Sequence, residues 1–503
     1  MTAKPQLKAV ETKPAPRAEA APVVARDLTG MLRILTCGSV DDGKSTLIGR
    51  LLWDATDLFD DQRETLQRGR KVDGGHPDFS LLMDGLVAER EQGITIDIAW
   101  RYFDTDTRRF VVIDSPGHEQ YTRNMASGAS HADVAIMLID SRHGIKTQTR
   151  RHAAILDLVG LKRVVLAVNK MDLVGWSEER FRQIESDFRN LVRRFGFTDS
   201  IAVPVAAVSG DNVAARSTNM PWYQGPHLLS HLETLPHRVT EATGAFRMPV
   251  QTVLRDTRAD FRGLAGTISS GHVKVGDTII DPVSKRQAKV QRIASMDRDY
   301  EEAGHGQAVA IQLDTDIDVS RGAVLADPDA QPIVARSVEA RFVWLNETAF
   351  NRRGSYLFRT ATDLVPVTSI EIRALLDLET FATKPSSACK VNDIAIAHLA
   401  LGRATAVDRF ADAPETGSFM LVDAITGASV AGGIVSAASS DAAPADADVF
   451  VLTRSMLSRG LSSDLGNSPE AETEFRRRAN EVALILRAAG VAVEIEALPD
   501  YSI

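Results

Sequence analysis

The sequence predicts a multi-domain chain: an α/β P-loop domain followed by two small β-barrels and a short C-terminal α/β segment. Three observations predict this. Five short apolar runs alternate with helix-sized amphipathic stretches: RILTC (33–37), FVVID (110–114), VAIMLID (134–140), RVVLAVN (163–169) and IAVPVAAV (201–208). Strands buried on both faces of a parallel sheet have this Val/Ile-rich character. Beyond Phe246 the texture changes to Val/Ile/Thr-rich segments broken by Gly, Asp and Pro, such as PVQTVLRD, GLAGTISSGHVKVGDTIID and AVAIQLD. A second stretch of that kind runs from SVEARFVWLN (337–346) to TGSFMLVDAITGASVAGGIV (416–435), so two consecutive barrels fit, with turns at Gly276-Asp277 and Gly304-His305-Gly306. Finally, the pattern after 448 is α/β again. Phe475, Ala479, Val482, Ala483 and Leu486 fall on one helix face, and strand-like VAVEIEA follows.

Composition sets the boundaries and excludes several classes. A chain of 503 residues has room for about three or four domains. With 44% hydrophobic and 25% charged residues it is expected to fold. Residues 1–26, rich in Ala, Pro and Lys, read as a disordered tail, 27–240 as the P-loop domain, 246–335 and 336–436 as the barrels, 437–448 as a linker and 449–503 as the last segment. The net charge of −9 offers no global basic field for nucleic acid or an anionic membrane. Two cysteines, Cys37 and Cys389, exclude a disulfide framework and a four-cysteine zinc site and suit a reducing cytosol. No apolar run approaches the ~18 residues of a membrane span, and the N-terminus has no apolar signal core. A cytoplasmic protein is expected.

The chemistry begins where RILTC ends. Gly38-Ser39-Val40-Asp41-Asp42-Gly43-Lys44-Ser45, with Thr46 opening the helical pattern TLIGRLLWD, fits G-x-x-x-x-G-K-[ST] in the strand–loop–helix context the motif requires. Glycines let backbone N–H groups turn inward around phosphate oxygens at a helix N-terminus, whose partial positive charge favours an anion. Lys44 is placed for the β- and γ-phosphates and the Ser45 hydroxyl for Mg²⁺. Three further segments select the nucleotide. FVVID ends in Asp114-Ser115-Pro116-Gly117-His118: the Asp114 carboxylate suits the Mg²⁺ shell, and Gly117 can offer its N–H to a γ-phosphate. RVVLAVN ends in Asn169-Lys170-Met171-Asp172, where the Asp172 carboxylate matches the paired N1–H and N2–H₂ donors of guanine, which adenine lacks. Gly93-Ile94-Thr95-Ile96-Asp97 lies between them and supplies Thr95, a second candidate Mg²⁺ ligand on a switch. The reading is a GTPase using GTP and Mg²⁺.

His118 follows Gly117, where a GTPase places the residue that orients the attacking water. It either takes that role or is an ordinary switch-loop histidine. Asp41 and Asp42 repel an anion. Their side chains either point away from the phosphates or, for Asp41, bind a cation. Cys37 is expected to pack within its strand.

The D-x-P-G-H form, the GIT switch and the α/β-plus-two-barrel order resemble the translation-factor class of GTPases, typified by elongation factor Tu. Within it, GSVDDGKSTLIGRLL, DGLVAEREQGITIDIAWRYF, PGHEQYTRNMASGAS, MPWYQGP, DFRGLAGTISSG and DIDVSRG resemble the GTPase subunit of bacterial sulfate adenylyltransferase, from about Leu32 to Gly433. Elongation factors would carry His at Asp42 and Thr at Ser45, and those departures favour the sulfate branch over a factor delivering charged tRNA. The resemblance implies a smaller ATP-binding catalytic subunit as partner, which joins ATP and sulfate into adenosine 5′-phosphosulfate and pyrophosphate, an uphill reaction coupled to GTP hydrolysis here. No second nucleotide site is found for ATP. Gly432-Gly433 falls in the expected last strand of the second barrel. In VPVAAVSGDN, Ala206 stands where the family tends to have Ser, and the backbone N–H of Ala207 is expected to meet guanine O6.

The last segment resembles the middle of an adenylylsulfate kinase, in RGLSSDLG and RRRANEVALILRAAGVAV. It has no phosphate loop of its own, and Thr453-Arg454-Ser455-Met456 replaces the acidic run expected before RGL. It is expected to be inactive, a docking or oligomerisation element, with a separate adenylylsulfate kinase as one candidate partner.

Overall fold

The computed structural model describes residues 30–55, 77–82, 95, 97–236, 244–256, 261–296, 298–441, 450–452, 469–488 and 493–495. The first domain is laid out as β1 (Met31–Cys37), α1 (Lys44–Ala55), β2 (Ala99–Asp104), β3 (Arg109–Asp114), α2 (Thr122–Ser130), β4 (Val134–Asp140), α3 (Thr147–Leu158), β5 (Arg163–Asn169), α4 (Glu178–Val192), β6 (Asp199–Pro204) and α5 (Leu228–Thr234). These strands form one six-stranded sheet in the order β2-β3-β1-β4-β5-β6. All neighbours are parallel except β2, which runs antiparallel to β3. Every residue of β4 is buried, because helices cover both faces of the sheet. In α4, Phe181, Ile184, Phe188 and Leu191 recur at helical spacing and are buried, while Ser177 caps the first turn by accepting the Arg180 N–H. Burying each such Phe or Leu is worth about 1.5–3 kcal/mol.

The order of strands decides where the site lies. β1 is central, flanked by β3 and β4, so the loops that leave β1, β3 and β5 open on one edge of the sheet. That edge is where an open α/β sheet binds its ligand. Two expectations change here. The run 201–208 is a strand only to Pro204; beyond it the chain folds back, with Ala206 bridged to Asp211. The edge strand β2 has no counterpart among the predicted runs, because Trp100 and Tyr102 are exposed and interleaved with Arg101 and Asp104.

Both barrels close. In the first, strands 278–281, 324–326, 247–256, 261–267, 308–313 and 286–294 pair in sequence, and 286–294 returns to 278–281. In the second, 356–359, 418–423, 429–439, 333–344, 394–407 and 364–376 pair in sequence, and 364–376 returns to 356–359. Closure leaves no open edge in either ring. Two predicted boundaries shift. The second barrel begins at Ile333, paired with Val407, and its last strand runs to Ser439, into the segment read as linker, because Ala437, Ala438 and Ser439 pair with Glu339, Val338 and Ser337. Gly433 lies in that strand, where a Cβ would meet Arg341 O at 2.5 Å.

A buried ion pair joins the barrels: Arg247 Nε and Nη2 reach the Asp408 carboxylate at 2.9 and 3.0 Å. The turn after 364–376 docks on the first domain, with Phe381 edge-on to Phe195 at 5.1 Å and Thr147 Oγ1 donating to Glu379 at 2.9 Å. Beyond the barrels, helix Pro469–Ala488 buries Phe475, Ala479 and Ala483 against Leu452 and Val493, which lie on the parallel pair 450–452 and 493–495. The 1–26 tail, most of the linker, Thr453–Met456 and RGLSSDLG lie outside the described residues.

Candidate nucleotide site

The phosphate loop takes its shape from backbone that only certain residues adopt. Gly43 has φ +92°, and a Cβ there would sit 2.5 Å from Asn169 Nδ2; Asp41 is left-handed at φ +66°. The loop feeds directly into α1, whose first turn contains no acidic side chain. Leu47 N donates to Gly43 O at 2.9 Å, so the N–H groups of Lys44, Ser45 and Thr46 are the ones helix geometry leaves without an intrahelical acceptor. Lys44 is buried, and its Nζ donates to Gly38 O at 3.0 Å and Ser39 O at 2.8 Å. Burial pushes its pKa down, against the pull of Asp114 and Asp42. A buried ammonium in a loop that opens a helix N-terminus is suited to an anion.

The loop after β3 closes on this ammonium. Asp114 ends the strand, paired in register with Thr36, and its Oδ1 accepts from Thr36 Oγ1 at 3.0 Å. Gly117 is pressed against the phosphate loop: a Cβ there would collide with Lys44 Nζ and lie 2.8 Å from Gly38 O. His118 is exposed and caps the one-turn helix Glu119–Tyr121, its Nδ1 accepting the Gln120 N–H at 3.4 Å. In the neutral ring an accepting Nδ1 puts the proton on Nε2.

The β5 loop braces the same structure. Asn169 is buried; its Nδ2 donates to Asp42 O at 2.8 Å and its Oδ1 accepts from Ala207 N at 3.0 Å. It thus ties the phosphate loop to the loop after β6. The Ala207 N–H, expected at guanine O6, donates to Asn169 Oδ1 here. Ala206 is buried, its backbone N–H donating to Asp211 O at 3.2 Å and its carbonyl accepting from Gly210 N at 2.8 Å. Lys170 stands at φ +62°, so its side chain lies along the loop; Nζ donates to Asp41 O and pairs with Asp140 Oδ2 at 3.0 Å. Asp172 is exposed at the open rim, in the turn Met171–Val174. Val40 is also exposed.

Sequence reading missed Asp140. It ends β4 as Asp114 ends β3, and that shared position was the available signal. Burial raises its pKa, but hydrogen bonds from Arg142 and Lys170 outweigh this and hold the carboxyl well below the ordinary range. Cys37 is fully buried, which pushes its thiol up to about 12. No redox role fits such a group.

Two features fit the residues to a nucleoside triphosphate. Ser39 Oγ is buried in the loop without a hydrogen-bond partner, and the Gly117 cradle admits no side chain. For Mg²⁺ the available groups are hydroxyls and one carboxylate: Ser45 and Thr95, both half-buried, and Asp114. No cluster of three or more His, Cys, Asp or Glu occurs among the described residues. A sparse oxygen set suits Mg²⁺, which takes most of its shell from phosphates and water. Gly93, Ile94 and Ile96 lie outside the described residues.

Comparison with known proteins agrees with this geometry. Residues 29–243 match the family model for the elongation factor Tu GTP binding domain, and 337–436 match the GTP-eEF1A C-terminal domain-like model. Among curated proteins, the chain is 46% identical over 420 residues to a sulfate adenylyltransferase subunit 1 of Methylorubrum extorquens, covering 82% of this chain and 89% of that one. The chain belongs to the translation-factor GTPase family. Other members at similar distance are subunit 1 of Colwellia psychrerythraea, 44% identical over 80% of this chain and 87% of that one, and the bifunctional enzyme NodQ of a Rhizobium species, 45% identical over 82% of this chain. The chain spans 64% of the length of that NodQ protein. As a GTP-binding domain of this family, the site divides into a braced half around Lys44 and Asn169 and an exposed half around His118. Among the described residues no helix is long and apolar enough to cross a membrane.

Proposed function

We propose that this chain is the GTPase subunit of a sulfate adenylyltransferase. GTP hydrolysis here is coupled to the joining of ATP and sulfate into adenosine 5′-phosphosulfate and pyrophosphate on a separate, smaller ATP-binding subunit. The relatives named above support the assignment. The observation that carries the hydrolytic reading is Gly117, packed on Lys44 and followed at once by His118. Lys44 and the N–H groups of Gly43 to Thr46 hold the phosphates. Asp172 reads guanine, and Asn169 and Lys170 keep its loop against the phosphate loop. Ser45, Thr95 and Asp114 would hold Mg²⁺, which when bound neutralises charge on the β- and γ-phosphates. Gly117 offers its N–H to the γ-phosphate, and His118 turns inward to orient the attacking water through its ring.

Only GTP in place can order such a switch, so the partner senses the nucleotide through the loop after β3. Neither nucleic acid nor membrane is a partner in this reading, and the protein works in the cytoplasm. The C-terminal segment has no phosphoryl-transfer activity and serves as a docking element, a separate adenylylsulfate kinase being one fitting occupant. The test is co-purification of the chain with its small subunit, followed by pyrophosphate release from ATP and sulfate. Release should rise with GTP and not with GDP. Equal release with both nucleotides rules the coupling out.

A further inference from the structure

Asp42 is an acidic residue inside a loop built to hold an anion, and the nucleotide chemistry above makes no use of its side chain. The structure shows where that side chain goes. It is 2% exposed and turned beneath the loop, where Oδ2 accepts the Ser39 N–H at 2.7 Å. The backbone of Asp42 is fixed on both sides: its N–H reaches Ser39 O at 3.4 Å and its carbonyl accepts from Asn169 Nδ2 at 2.8 Å. Gly43 and Lys44 follow directly. Whatever orients Asp42 therefore orients the peptide groups that face a phosphate.

The carboxylate also carries charge. Lys146, the residue before α3, brings Nζ to 3.8 Å from Asp42 Oδ1, and its own backbone is held by the bond from its N–H to Thr149 Oγ1 at 3.2 Å. Lys44 and Asp140 are the other charged groups facing Asp42, and Asp140 is already engaged by Lys170 and Arg142. Lys146 is thus the cation that Asp42 can call on without competing with the phosphate site. We infer that Asp42 is a positioning residue of the phosphate loop, and that the Asp42–Lys146 pair sets how long the chain holds its nucleotide. The acceptor on Asp42 fixes the loop, its negative charge repels the bound phosphates, and Lys146 offsets part of that repulsion. The inference rests on the GTP reading above.

The test is stopped-flow release of a fluorescent GDP analogue from the full-length chain, with thermal melts to verify folding. D42N keeps an acceptor for the Ser39 N–H and removes the charge, so release should slow about fivefold; K146M leaves the charge uncompensated, so release should quicken about fivefold. The double variant should match D42N to within about twofold, because Lys146 has then nothing to offset. D42A removes acceptor and charge together, and should release about tenfold faster than D42N. An ordinary structural role would make every one of these variants looser. D42N releasing as fast as the unaltered chain, or a K146M effect undiminished in the D42N background, overturns the inference. Failure of the unaltered chain to bind the analogue at all removes the GTP reading with it; normal binding with unmoved variants removes this inference alone.

Discussion

The two halves of the nucleotide site are built differently. Around Lys44 and Asn169 the two side chains are buried and held, Lys44 Nζ by two carbonyls and Asn169 by Asp42 O and Ala207 N, while Ser39 Oγ is left without a partner. Around His118 the side chain is exposed and its one bond to the local backbone is long, at 3.4 Å. The first half is organised before a ligand arrives and, in the proposed function, supplies affinity. The second can move at little cost, which a residue that must act only with the γ-phosphate in place requires. Binding and hydrolysis should therefore separate under mutation.

Losing the buried cation is the largest expected effect. K44A should weaken GTP binding on the order of 100-fold or more in a fluorescent-nucleotide titration, since Lys44 is the one cationic side chain in the loop 38–45. Near-normal affinity would mean the braced half does not depend on its ammonium. G117A should sharpen the division further. Its Cβ collides with Lys44 Nζ, so hydrolysis should fall on the order of 100-fold while GDP still binds. H118A should lower the hydrolysis rate by about 10²-fold and leave the GTP dissociation constant within about twofold. A change in affinity larger than the change in rate would place His118 in the braced half instead.

The smallest effect concerns stability. His152 is fully buried in α3, and that burial lowers its pKa to about 3, with Lys44 and Arg151 adding to the shift. Its Nε2 lies 2.9 Å from Gln148 Nε2, so the ring is neutral with the proton on Nδ1. The folded form resists protonation, whereas the unfolded chain takes a proton near 6.5. The cost is absent above about pH 6.5 and grows as pH falls toward 3, reaching about 2 kcal/mol at pH 5. The melting temperature should drop between pH 7 and 5, and H152Q should flatten that part of the slope. An unchanged slope in H152Q would show that other groups carry the acid sensitivity.

Much of this protein was legible in its residues. Short apolar runs with a carboxylate, amide or glycine at their C-terminal ends are read correctly without coordinates, because buried parallel strands admit little else and the ligand edge needs polar termini. The places of the phosphate loop, Asp114, Gly117 and Asn169 follow from that rule; the buried face of the C-terminal helix follows from its 3.6-residue period instead. Exposed strands fail it. β2, with Trp100 and Tyr102 facing water, has no apolar run to mark it. The end of β6 fails too, since Pro204 ends the ladder where hydrophobicity continues.

What the sequence determined by itself is the list of chemical groups and their order, since motif spacing follows from local backbone geometry. Only the tertiary structure decided their employment. Ala207 gives its N–H to Asn169, Asp140 holds Lys170, Gly117 lies on the Lys44 ammonium, and Asp42 turns beneath the loop toward Lys146. Each of these pairings joins residues far apart in the chain. They exist because β1, β3, β4 and β5 lie side by side, and a buried polar group must take whichever partner that arrangement brings within reach.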